Sequence, residues 1–188
     1  MPDGQVFQPF TDRLSRDIRN ALSKSFVTVL QQRTIDAAQT IADYYLQKTE
    51  KSCYRDYIRK RLQCYKNVLV QLDDKDHEPL LLGLILWDEK LFFEVHEVLE
   101  HVWLDAKGEE KLFLQAMIRA AGVYIKLEAG YSDPASRMAG KAIPVLERNQ
   151  HRLALYTNPA VLIKALRTLE PSAPILLSPG PHQSHVNY

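Results

Sequence analysis

Apolar side chains return every three or four residues along most of this chain, and almost nowhere do they alternate with polar ones. That rhythm matches the 3.6-residue turn of an α-helix rather than the two-residue repeat of a strand. Thr11 can cap a helix through DRLSRDIRNALSKSFVTVLQQ, where Leu14, Ile18, Ala21, Leu22 and Val29 recur at helical spacing. Thr34 caps a second, IDAAQTIADYYLQK, and Ser52 opens a third, CYRDYIRKRLQCYKNVLVQL. After the polar break DDKDHE, Pro79 suits the first position of a short apolar helix that ends near Trp87. A fifth helix, FFEVHEVLEHVW, is separated by Gly108 from a sixth, EEKLFLQAMIRAAGVYIKLEA, which Gly130 closes. Ser132 caps a seventh that Pro144 should kink or end, and Asn158-Pro159 starts an eighth. The expectation is an all-α bundle of about eight helices, with those near 90–105 and 109–128 at its centre.

The break near 72–78 divides a helical extension, residues 1–75, from a helical core, residues 76–169. From residue 170 the chain carries four prolines in nineteen residues, which predicts a disordered tail over 170–188. His182 and His185 in that tail are a loose pair and carry no expected site. Charge is uneven, a net +5 over residues 1–70 against −4 over 71–188, but the total of +1 gives no global pull toward nucleic acid or membrane. Cys53 and Cys64 would stand roughly 16 Å apart along one helix, beyond disulfide reach. With no basic-then-apolar leader at the start and no apolar run able to span a bilayer, a reducing cytoplasm is the expected setting.

The stretch 92–103 concentrates three glutamates and two histidines among bulky apolar residues. Leu91, Phe92, Val95, Val98, Leu99, Val102 and Trp103 cover one arc of a helical wheel, the core face. His96 and Glu100 lie at its edge, one turn apart, and Phe93 and Leu104 return beyond them. Apolar residues on both sides of the pair predict a seam between packed surfaces. On the sixth helix Gln115, Arg119 and Lys126 share a stripe with Gly122, where another backbone could come close. That stripe is a natural partner for Glu94, Glu97 and Glu100, with Arg119 as an ion-pair partner. Glu94 and His101, further from the seam, read as solvated or salt-bridged.

FFEVHEVLEHVW followed by GEEKLFLQAMIRAAGVY resembles the core of a bacterial and archaeal family catalogued as domain of unknown function 309. The family's motif, His, three residues, Glu, two residues, then Trp or Tyr, falls on His96, Glu100 and Trp103. The resemblance covers roughly residues 78–150. It implies a compact helical bundle with a motif suggested to bind metal and no established activity. Two departures stand out: Ala116 where the family commonly has Gly, and Tyr124 where it often has His, which removes one candidate ligand. Nothing in the resemblance assigns a function to the first 75 residues.

His and Glu four apart on a helix project to one side and can share an ion, though a tight site needs further donors. Glu97, Gln115 or Asp88 could complete a divalent-metal site at His96 and Glu100, or a twofold partner in a homodimer could do so. Trp103 and Phe93 would form its dry wall. The donors do not fit a zinc-protease helix or a carboxylate-bridged di-iron bundle. Were the protein an enzyme, metal-assisted hydrolysis with a carboxylate base is the expected chemistry; an unidentified small ligand is the other occupant considered. The competing expectation is a non-catalytic structural or protein-interaction module whose His/Glu cluster is a buried stabilising network. A third reading, nucleic-acid binding by Arg55, Arg59 and Arg61 on the third helix, is weaker because Tyr54, Tyr57, Ile58, Leu62 and Tyr65 share a helical face that belongs in a core.

Overall fold

The computed structural model describes residues 6–72 and 78–177. Among them are nine helices, eight of them longer than two turns or close to it, and no strand. They gather into two compact units that divide between Lys75 and Asp76.

The first unit is a three-helix bundle of α1 (Arg13–Gln32), α2 (Asp36–Lys48) and α3 (Ser52–Gln71), each packed on the other two. Its core is the helical stripe Ile18, Leu22, Phe26 and Val29 of α1 against Tyr54, Ile58, Leu62, Tyr65 and Val68 of α3. The small Ala38 and Ala42 bring α2 close. Asp12, not Thr11, caps α1, because its carboxylate reaches the N–H groups of Leu14 and Ser15 at 3.3 and 2.9 Å. The three arginines of the nucleic-acid reading have internal partners. Arg55 donates to the carbonyls of Leu46 and Thr49, Arg59 pairs with Asp56 and Arg61 donates to the Tyr57 hydroxyl. Tyr57 in turn stacks on Phe7 with ring centroids 3.6 Å apart.

The second unit runs α4 (Pro79–Asp88), α5 (Phe92–Asp105), α6 (Gly108–Glu128), α7 (Ser132–Arg148), the single turn α8 (Gln150–Leu153) and α9 (Pro159–Thr168). α8 is the helix beyond the expected eight, one turn too short to show a period. Successive helices pack in order, α4 on α5, α5 on α6 and α6 on α7, with α9 on α7. α4 has almost no polar face and buries Leu80, Leu84, Ile85, Leu86 and Trp87. Lys90, in the left-handed region at φ +58°, turns the chain into α5. α6 is central as expected, burying Phe113, Leu114, Met117, Ala120, Ala121, Val123 and Tyr124, but Leu112 is exposed, so its apolar residues do not point inward all round.

Pro144 does not end α7, which continues to Arg148. Pro144 and Gly140, whose carbonyl it leaves without an intrahelical donor, both face solvent, and water can serve the freed oxygen. Gly122 admits no backbone; a Cβ there would fall 2.2 Å from the Met138 Cε, so the space belongs to a side chain of α7. Beyond α9, residues 170–177 do not run free. Leu176 is buried and the segment lies against the end of α4, while His182 and His185 fall outside the described residues.

Candidate functional site

α5 meets α4 through one side and α6 through another, which buries Phe92, Val95 and Leu99. Its remaining side presents Phe93, His96, Glu97, Glu100 and Leu104, positions that share a face by helical spacing. The expected closed seam is an open one. The His96 side chain is 34% exposed, those of Glu97 and Glu100 are 48% exposed and Leu104 is 62% exposed. Of the helices in this unit, α4 and α6 are the ones that pack most closely on α5. Glu94 goes the other way. It is 1% exposed, so the expected solvated role is wrong; it stands three residues after the buried Leu91 and shares its face of the helix. His101 is exposed, as expected.

The His96 Nδ1 lies 3.5 Å from Glu97 Oε1 and 3.7 Å from Glu100 Oε2. One ligand atom from each of the three residues can be chosen so that all lie within 4.8 Å of one another. Nδ1 itself has almost no contact with solvent and makes no hydrogen bond. A buried ring nitrogen without a partner forfeits solvation and gains nothing in return. The two carboxylate oxygens stand at and just beyond the limit of hydrogen-bond range from Nδ1.

Phe93 is half-buried, its ring nearly parallel to the imidazole at a centroid distance of 6.4 Å. Trp103 is half-buried, with the Lys111 ammonium 4.5 Å from its ring centroid and its Nε1 shielded without a hydrogen bond. Phe93 thus lies beside the trio through its contact with His96, and Trp103 stands three residues, about one turn, beyond Glu100. Gln115 and Arg119, half-buried on α6, make no hydrogen bond or ion pair with it among the described residues. The helical spacing places them on one stripe but says nothing about how far α6 is rotated against α5.

Asp88 is not part of the trio. Its two carboxylate oxygens accept from the backbone N–H groups of Leu176 and Leu177 at 2.7 and 2.9 Å, and burial pushes its pKa above the ordinary carboxylate range. Beside it the Trp87 indole donates to the Pro174 carbonyl at 3.0 Å. No local pattern could have paired residues 88 positions apart. Tyr124, at the position of the missing histidine, joins Trp87 and Phe92 in a buried aromatic cluster with centroids 5.2–5.3 Å apart.

No helix is long and apolar enough to cross a membrane among the described residues, and neither Cys53 nor Cys64 is in a disulfide. No curated protein and no solved structure matches the chain. Residues 80–138, which run from α4 through the first turns of α7 and hold the whole His96–Glu97–Glu100 trio, match the family described as Domain of unknown function (DUF309).

Proposed function

We propose that the open face of α5 binds a divalent metal ion through His96 Nδ1 and the carboxylates of Glu97 and Glu100. The observation that carries this is the shielded, unbonded Nδ1 with two carboxylate oxygens at 3.5 and 3.7 Å. Around an ion with bonds of about 2.1 Å, tetrahedral ligand atoms stand roughly 3.4 Å apart. The two distances from Nδ1 exceed that by no more than about 0.3 Å, and the three ligand atoms lie within 4.8 Å of one another, so side-chain rotations would have to close the set.

One imidazole and two carboxylates form a borderline-to-hard donor set, suited to zinc, manganese or ferrous iron rather than to a thiolate-seeking ion. All three come from five residues of one helix and occupy one side, which leaves the opposite side open to a small ligand. Phe93 and Trp103 border that opening and lower its contact with water. A divalent ion held there would supply the Lewis acidity on which metal-assisted hydrolysis rests. We place the protein in the cytoplasm, a setting in which Cys53 and Cys64, neither in a disulfide, stay reduced.

The half-exposed carboxylates favour one rival, a surface ion pair between a protonated His96 and its two neighbours, which serves no ligand. Elemental analysis of the purified chain, with calorimetric titration of zinc and manganese, separates the two. The metal site predicts about one ion per chain, and at least a tenfold loss of affinity in both His96→Ala and Glu100→Ala with the fold intact. An ion-pair role predicts no bound metal and stability changes within about 0.5 kcal/mol in each variant. That second pattern would remove the proposal.

A further inference from the structure

The end of α4 holds backbone that belongs to no helix. Asp88 takes the N–H groups of two consecutive residues, Leu176 and Leu177, one on each carboxylate oxygen. Trp87 donates its indole N–H to the carbonyl of Pro174, and the Thr157 hydroxyl donates to the carbonyl of Leu176. One side chain is anchored, Leu176 at 4% exposure, whereas its neighbour Ile175 points outward at 61%. Main-chain bonds with a single apolar anchor are how proteins take up extended peptides, where the backbone supplies affinity and one pocket supplies selectivity.

The acceptor is also costly to keep without its donors. Asp88 is the last residue of α4, where the helix dipole is negative, and Glu89 follows it. A part-buried carboxylate in that place needs N–H donors, and among the described residues they come from the segment beyond α9. The Trp87 ring is fixed edge-on against Phe92 and Tyr124, at interplanar angles of 78° and 84°, so its N–H is aimed before any peptide arrives. The segment itself follows Leu169, in the left-handed region at φ 50°, and Pro171, and it belongs to no helix.

We propose that Trp87, Asp88 and Thr157 form a peptide-recognition site, filled in cis by Pro174–Leu177 and able to exchange that segment for a peptide of the same pattern, a carbonyl that accepts from the Trp87 indole followed two residues later by leucine. The site stands apart from the α5 trio and does not depend on metal there.

Amide hydrogen exchange on the full chain tests this, with a synthetic peptide of residues 172–177 as the probe. In the native chain the Leu176 and Leu177 amides are protected. Added peptide lowers that protection in a saturable manner, whereas a peptide with alanine in place of the leucine at 176 does not. Asp88→Ala speeds exchange at those two amides by about tenfold or more, leaving the α5 and α6 amides unchanged. If Asp88→Ala leaves both amides protected, the carboxylate is not the anchor and the proposal fails. If the peptide in large excess never competes, the segment is a permanent tie and the exchange half fails. Should Asp88→Ala lose its helical circular dichroism, the peptide titration on the unaltered chain decides alone.

Discussion

Tyr124 shows how a single hydroxyl can work against the fold that holds it. The residue is 1% exposed, and its oxygen has no hydrogen-bond partner. Burial, with a smaller contribution from the charge of Glu170, pushes its pKa up to about 12. A buried hydroxyl without a partner costs on the order of 1–3 kcal/mol of desolvation, so Tyr124→Phe should raise stability by about 1 kcal/mol, read as a higher denaturant midpoint at unchanged slope. A loss of similar size would mean that the hydroxyl is bonded after all. Because the folded pKa lies above the unfolded one, near 10, the neutral phenol favours the folded state. That preference is fully present below pH 10 and is lost as the pH rises through about 12; the phenylalanine variant should lack this alkaline decline. At this scale the sequence was legible where spacing decides the outcome. His96 and Glu100 are found together because four residues make one helical turn. Glu97 was expected only as support, yet its oxygen lies nearer to Nδ1 than that of Glu100. Gln115 and Arg119 could not be placed, since their distance from the trio depends on the rotation of a second helix.

Helix ends were predicted within a residue or two, and the exceptions have causes. Thr11 and Asp12 are both good cap residues, and only the three-dimensional surroundings choose between them. Asp12 wins because it also accepts from the Ser15 hydroxyl at 2.5 Å and the Tyr54 hydroxyl at 2.9 Å, which ties the start of α1 to α3. These bonds, that of the Ser15 hydroxyl foremost, hold the Asp12 pKa below its ordinary value. Loss of the cap in Asp12→Ala should cost about 1–2 kcal/mol in the first unit, measured by urea unfolding. The sign of the pH effect follows from the lowered pKa: the stability Asp12 contributes is present above about pH 4 and is lost as the pH falls through its folded value. The alanine variant should therefore be less sensitive to acid over that window, and an unchanged acid profile would contradict the cap. Pro144 was expected to stop α7 but sits on its wet side, where the missing bond is replaced by solvent.

Over the whole molecule, the all-α class was readable from periodicity alone, since a chain whose apolar residues keep helical spacing throughout has little else to build. What could not be read were contacts between distant positions. The proline-rich stretch after α9 has the composition of a disordered tail, yet residues 174–177 gain four main-chain bonds and a buried leucine from α4 and Thr157. Most packing in both units joins helices adjacent in the chain. Topology of this kind folds fast, on the microsecond-to-millisecond scale, and stopped-flow refolding from urea should recover most of the amplitude within about 10 ms. A dominant phase of seconds would point to slow rearrangement that this order of contacts does not require.

The chain has two tryptophans, and they sit at its two candidate sites. Trp87 bonds to Pro174, and Trp103 borders the His96–Glu97–Glu100 face with a lysine over its ring. Intrinsic emission therefore comes already labelled. Replacing either indole with phenylalanine leaves a single-tryptophan protein whose indole emission, excited selectively near the red edge, reports departure of the C-terminal segment in one version and events on α5 in the other, with no dye attached.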